Sequence, residues 1–71
     1  MKYTEFRDQI HAELCLHPEG FTWVELRERL GLPYEHPCPT WVRRLEEEIG
    51  LVRIKASRPA YTWKLTDRQN G

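Results

Sequence analysis

Histidines, cysteines and carboxylates are the side chains of this sequence that could do chemistry, and their spacing limits what that chemistry is. His11 and Cys15 are one helical turn apart, while His36 and Cys38 lie close together further along the chain. Neither pair has the cysteine or histidine spacing typical of zinc sites, so we predict no metal and no cofactor. The glutamates at 46–48 are consecutive and point to different sides of a helix. With no catalytic triad and no glycine-rich phosphate loop, we expect a binding protein and not an enzyme.

A second set of candidate residues is basic. Arg43 and Arg44 lie in a stretch whose apolar residues recur at helical spacing. With Leu45 at the centre of the buried side, Arg43 and Glu47 fall nearly opposite it at about 100° per residue. The outward face is then predicted to contain Thr40, Arg43, Arg44 and Glu47. Two interpretations stay open at this point, nucleic-acid contact and a solvated face on which the arginines pair with glutamates one turn later.

These residues are positioned by a predicted third helix and a β-hairpin. The helix covers about 39–49, begins at Pro39, where a missing N–H costs nothing, and ends before Gly50. Residues 51–55 and 60–66 alternate in polarity and predict two strands, with 67–71 as a frayed tail. Lys55 and Arg58 flank the hairpin turn. They could contact phosphates, or they could only discourage edge-to-edge strand pairing.

The preceding helices are marked by capping and by periodicity. Thr22 and Glu25 have the spacing of a capping box, and Gly31 and Pro33 stop the second helix, predicted at about 23–30. The first helix is predicted at about 2–17. A proline-rich connector of eight residues, 31–38, precedes the third helix. The expected core consists of Phe6, Ile10, Leu14, Leu26, Leu30, Trp41, Leu45, Ile49, Ile54 and Trp63.

Composition predicts one small domain spanning residues 1–71. The formal net charge is zero, but residues 1–50 carry 6 basic and 10 acidic residues, while residues 51–71 carry 5 basic and 1 acidic. The basic end is a weak indication of an anionic partner. We find no secretory signal and no apolar run that would span a membrane. We therefore expect a cytoplasmic protein with reduced cysteines and no membrane partner.

Two stretches together resemble the winged helix-turn-helix superfamily. They are FTWVELRERLGL at 21–32 and PTWVRRLEEEIGLV at 39–52, the second of which looks like a recognition helix running into the first wing strand. The resemblance implies an α+β fold, a three-helix bundle followed by a C-terminal β-hairpin wing. It implies a DNA-binding protein, such as a transcriptional regulator or accessory factor, with the third helix in the major groove of double-stranded DNA and the hairpin on the flanking backbone. The expected contacts are Thr40, Arg43, Arg44, Lys55 and Arg58.

A protein-interaction module of the same fold is the alternative function. Its docking surface would be the acidic face of the first two helices, and its partner would be another protein. Zero net charge and the three consecutive glutamates favour this alternative, whereas the location of the basic residues favours DNA.

The capping box gives the first testable prediction. Thr22→Ala should lower the free energy of unfolding by about 1 kcal/mol, because the first-turn amide of Glu25 loses its acceptor. Thr22→Ser keeps a hydroxyl and should retain most of the stability. Urea denaturation of the three proteins tests this, and an unchanged midpoint for the alanine variant would contradict it.

Overall fold

Three helices and a three-stranded antiparallel sheet form this small mixed α/β domain, in a computed structural model that describes residues 1–55 and 61–66. The helices agree with the predicted ranges to within one residue at each end. Among the described residues, no helix has the length and apolar character to cross a membrane. In chain order the elements are α1 (Tyr3–Leu16), β1 (Phe21–Thr22), α2 (Trp23–Leu30), α3 (Pro39–Glu48), β2 (Leu51–Ile54) and β3 (Thr62–Leu65).

Helix α2 begins and ends through the local interactions that its sequence predicts. The Thr22 hydroxyl accepts a hydrogen bond from the Glu25 N–H at 3.2 Å, and the Glu25 carboxylate accepts one from the Thr22 N–H at 2.9 Å. Gly31 ends the helix in the left-handed region, with φ of 64°. The N–H of Leu32 then reaches the carbonyl of Arg27. The predicted capping box is therefore confirmed.

The sheet contains a strand that the sequence patterns did not predict. β1 is only two residues long and pairs with β3, which gives the strand order β1-β3-β2. Phe21 is opposite Trp63, and Thr22 is opposite Thr62. In the sequence patterns Phe21 is only the first residue of the stretch 21–32, and no strand is predicted there. A two-residue strand has no alternation long enough to be recognised, because its pairing depends on a distant partner.

The predicted core is largely confirmed, with one error of strand phase. Leu45 is 0% exposed, which confirms the helical phase of α3. Leu30, Trp41 and Ile49 are partly buried and pack against the core. Ile54 was expected in the core and is 47% exposed, so that prediction is wrong. Among the described residues, the buried cluster consists of Tyr3, Phe6, Ile10, Leu14, Leu26, Leu32, Val42, Leu45, Leu51 and Trp63.

The strand register explains the exposure of Ile54. Leu51 is opposite Leu65 and Arg53 is opposite Trp63, and directly opposite residues point to the same side of a sheet. Trp63 and Leu51 are 2% and 3% exposed, so their side of the sheet faces the core. Arg53 lies on that side and Ile54 on the other, because a shift of one residue reverses the face.

Some predicted features lie outside the described residues. The hairpin turn and its Arg58 fall within 56–60, and the predicted tail falls within 67–71. The described hairpin strands are slightly shorter than the predicted ranges of 51–55 and 60–66.

Gly20 and Gly31 provide a matched test of the sheet packing. Both have positive φ, 83° and 64°, but a Cβ at Gly20 would lie 2.5 Å from the Trp63 carbonyl oxygen, whereas a Cβ at Gly31 meets nothing within 4 Å. Gly31→Ala should lower the free energy of unfolding by about 1–2 kcal/mol, because alanine is strained in the left-handed backbone conformation. Gly20→Ala should lower it distinctly more, since the chain at Gly20 and β3 must also move apart. Equal losses in thermal or urea unfolding would contradict the close approach of Gly20 to β3.

Candidate nucleic-acid interface

The outward face of α3 carries the predicted recognition residues. Thr40, Arg43, Arg44 and Glu47 are all exposed, on the side of the helix away from Leu45. The placement of this face follows from the amphipathic pattern of the helix. What each side chain can reach depends on its neighbours in other elements.

The ends of α3 are fixed by local geometry and by a contact with β3. Pro39 occupies the first turn, after Cys38 as the N-cap residue. Beyond the C-terminal end, Gly50 has φ of 72°, a left-handed conformation that suits glycine. The N–H of Thr66, just after β3, donates to the Gly50 carbonyl at 2.7 Å. This contact joins the α3–β2 corner to the hairpin.

Arg44 is held by residues of its own chain. Its guanidinium carbon is 4.0 Å from the ring centre of Tyr3 on α1, within the range of a cation–π contact. Its Nε and a terminal nitrogen are each 3.1 Å from a Glu48 carboxylate oxygen. The intramolecular alternative that the sequence left open therefore describes Arg44 in this structure.

Glu48 is the centre of a cluster that links α1 to α3. Besides Arg44, its carboxylate accepts from Arg7 at 3.0 Å and from the Tyr3 hydroxyl at 3.1 Å. Hydrogen bonding from Arg7, followed by that from Tyr3 and Arg44, lowers the pKa of Glu48 below its ordinary value. Burial and the neighbouring Glu48 carboxylate raise the pKa of Tyr3. The pKa of Arg7 is raised by its hydrogen bonds to Glu48 and Asp8.

Arg43 lines a different surface, the cleft between α3 and β2. Among the described residues it has no ion-pair partner within 4.0 Å. Arg53 of β2 lines the same cleft, which has a volume of about 360 Å³. Its other lining residues are Pro37, Pro39, Val42 and Glu46. Two guanidinium groups, one from the helix and one from the hairpin, therefore lie on a single concave surface.

Arg53 is a candidate residue that sequence reasoning missed. The expectation that Ile54 faces the core places Arg53 on the outward side without a role, whereas the register turns it toward α3. Its guanidinium is 3.8 Å from the Glu46 carboxylate and 5.7 Å from the centre of the Tyr61 ring. At 3.8 Å the ion pair is at the long end of the range and partly exposed, so it contributes little to stability. The signal that could have found Arg53 is the alternation that begins at Leu51.

Of the two predicted hairpin residues, Lys55 is among the described residues and Arg58 is not. Lys55 is exposed, at the end of β2 and two positions beyond Arg53. The interface also contains acid, since Glu46 and Glu47 are exposed on α3 beside Arg43. A phosphate approaching this surface would meet charges of both signs.

The acidic face of α1 and α2 is partly neutralised within the domain. Glu13 accepts from Arg29 at 2.6 Å, which joins α1 to α2. The Glu25 carboxylate serves in the helix cap, and Asp8 pairs with Arg7 at 3.0 Å. Glu28 remains exposed.

The cysteines and histidines are dispersed in the part of the chain that is described. There, no three residues among His, Cys, Asp and Glu are grouped in a way that could hold a metal ion. Cys15 and Cys38 are both exposed free thiols.

Comparison with known proteins assigns no family to this chain. No protein-family model matches it, and neither a curated protein nor a solved structure was found to be similar.

The Glu48 cluster gives a prediction about pH. Because the pKa of Glu48 is lower in the folded protein than its ordinary value of 4.5, its ionised form stabilises the fold above that pH. This stabilisation is lost as the pH falls from 4.5 through the lower folded pKa. Glu48→Gln should therefore melt at a lower temperature than wild type at neutral pH, and the two curves should converge in acid.

Glu47→Gln is the matched control, since Glu47 is exposed and outside the cluster. Its melting temperature should stay close to that of wild type across the same pH range. A constant difference between wild type and Glu48→Gln down to strongly acidic pH would contradict the role assigned to the Glu48 carboxylate.

Proposed function

We propose that this chain is a winged-helix domain that binds double-stranded DNA through α3 and the β2–β3 hairpin. The observation that carries the proposal is the shared cleft of Arg43 and Arg53, in which the helix and the hairpin each supply one guanidinium group. Guanidinium groups suit both phosphate contacts and bidentate contacts to guanine.

The order of elements supports the fold part of the proposal. Three helices precede a two-stranded antiparallel hairpin, as the winged-helix resemblance implies. The hairpin follows α3 directly, and its strand β2 packs against α3. A helix entering a groove would therefore bring the hairpin to the backbone beside that groove.

The expected DNA contact of each side chain depends on the partners that it already has within the domain. Arg43, with no ion-pair partner among the described residues, is the best placed to read a base, and Thr40 lies one turn earlier on the same face. Lys55, Arg53 and Arg58 would contact phosphates. Arg44 would have to exchange its contacts with Tyr3 and Glu48 for a phosphate, so we expect a smaller contribution from it.

The mixed charge of the surface predicts modest affinity. About four phosphate contacts would give a log–log salt slope of about −3.6. Glu46 and Glu47 would repel the backbone, and their effect is strongest at low ionic strength. Binding at physiological salt should therefore be weak unless a second subunit or partner adds contacts.

Docking of a protein on the acidic face of α1 and α2 remains the second candidate function. The exposed Glu28 on α2 is the observation that favours it. The candidate is weaker because Glu13 and Glu25 are already used within the domain.

Titration of duplex DNA at two salt concentrations tests the proposal. Lys55→Ala should lower affinity uniformly across sequences and reduce the salt slope by about one. Arg43→Ala should cost about 1–3 kcal/mol on a preferred sequence and less on random DNA, because a base contact is lost. Lys2→Ala changes an exposed lysine just before α1, outside α3 and the hairpin, and as the control it should bind like wild type.

All variants must first show wild-type unfolding curves. If the wild-type domain has no salt-dependent affinity for duplex DNA even at low ionic strength, DNA binding is wrong. A protein partner should then be sought on the acidic face.

A further inference from the structure

A cavity lined by aromatic rings lies between α1, the connector and the start of α3. Its volume is about 320 Å³, at the small end of the range for ligand sites. Among the residues described, no charged side chain lines it. Its wall consists of four aromatic residues, a methionine, a proline and a cysteine: Phe6, Trp23, Tyr34, Trp41, Met1, Pro37 and Cys38.

The four rings meet at steep angles and do not form a flat stack. Tyr34 and Trp41 are inclined at 82° with ring centres 5.7 Å apart, and Phe6 and Tyr34 are also inclined at 82°. Phe6 is 5.0 Å from Trp41 at 45°. Trp23, Tyr34 and Trp41 are only partly buried, so part of their surface is open to a ligand.

Aromatic rings elsewhere in the domain already carry a cation. Arg44 lies over Tyr3, Arg29 lies over Phe21, and Arg53 is near Tyr61. None of the four cavity rings has such a contact with a described residue. The exposed parts of Trp23, Tyr34 and Trp41 therefore remain available to a cation from outside the chain, while Phe6, which is 1% exposed, forms the floor of the cavity.

The polar groups beside the cavity already have hydrogen-bond partners within the chain, which limits the ligands that the cavity could bind. The Trp23 indole N–H donates to the Glu35 carbonyl at 3.0 Å, and Arg27 approaches the same carbonyl at 3.4 Å. The Tyr34 hydroxyl is directed to the Met1 carbonyl. A primary ammonium or a peptide backbone would lose hydrogen bonds to water here without replacing them all. A group with no N–H and no acceptor avoids that cost.

We propose that this cavity binds a quaternary ammonium group, such as the trimethylammonium of choline or of a methylated lysine. Such a group is apolar in contact and positive in charge, and aromatic cages recognise it through the ring faces. Residues 1–50, which build the cavity, carry 10 acidic and 6 basic residues, and the negative net charge of this part of the chain favours a cation over a neutral hydrocarbon. This proposal does not depend on DNA binding.

The test is an NMR titration of the folded domain with choline chloride, which follows the three indole N–H signals. Trp23 and Trp41 line the cavity, whereas Trp63 packs against Trp23 without lining it. We expect saturable shifts of the Trp23 and Trp41 signals and a smaller shift for Trp63. Sodium chloride at equal ionic strength controls for salt. The carbon isostere of choline, with the quaternary nitrogen replaced by carbon, should bind about tenfold more weakly because it lacks the charge.

A matched pair of variants locates the site. Tyr34→Leu removes a cavity ring while keeping an apolar side chain, and should weaken choline binding several-fold. Tyr61→Leu removes a tyrosine outside the cavity and should leave binding unchanged. Circular dichroism checks that both variants remain folded. Equal binding of choline and its isostere, equal shifts with sodium chloride, or no shift at all would overturn the proposal.

A further titration with peptides distinguishes the two possible sources of the quaternary ammonium group, a methylated protein and a free small molecule. A short peptide with trimethyllysine should bind more tightly than its unmodified form in either case, since only the methylated side chain lacks N–H donors. Binding tighter than that of choline would identify a methylated protein as the source, and binding no tighter would identify a free small molecule. Equal affinity of the two peptides would count against a quaternary ammonium site.

Discussion

The burial of Trp63 sets the strand register on which the rest of the sheet depends. Its side chain is 2% exposed, and its ring centre is 5.3 Å from that of Trp23 at the start of α2. In the sheet it is opposite Phe21 on β1 and Arg53 on β2. Because opposite residues point to one side of a sheet, an indole held in the core fixes the side on which each partner lies. Arg53 is thereby turned toward α3, where it meets Glu46.

A second constraint acts where α1 meets the C-terminal end of α3. Glu48 accepts hydrogen bonds from Tyr3 and from two guanidinium groups, one on each helix. Arg44 is held in this cluster, while Arg43, rotated by about 100° around the helix axis, stays on the outward face. Two neighbouring arginines therefore have different roles, one joining the helices and the other available to a ligand.

The connector between α2 and α3 separates two surfaces of unlike chemistry. It is longer than the turn of about 3–4 residues typical of a helix-turn-helix, and its Tyr34 and Pro37 have room to contribute to cavity walls. Pro37 lines both the aromatic cavity and the cleft of Arg43 and Arg53. The apolar surface and the charged surface are therefore adjacent, although their ligands would be recognised by different forces.

Several features of this domain follow from local interactions and could be predicted from the sequence. The Thr22–Glu25 cap, the stop at Gly31 and the buried phase of Leu45 follow from backbone hydrogen bonding and helical periodicity within a few residues. The exposed position of Arg43 follows from the same periodicity. Local spacing was enough because each of these features is completed within one element.

Other features depend on partners that are distant in the sequence, so they could not be predicted from local patterns. β1 exists because it pairs with β3, and the inward side of β2 is set by Trp63, so Arg53 faces α3 and Ile54 is exposed. The alternation of β2 could be read in either phase, since both sides of so short a strand contain an apolar residue. The engagement of Arg44 likewise needed Tyr3, which lies far away in sequence. Local spacing is compatible with either phase of β2 and with either role of Arg44, and the packing of distant residues determines which one occurs.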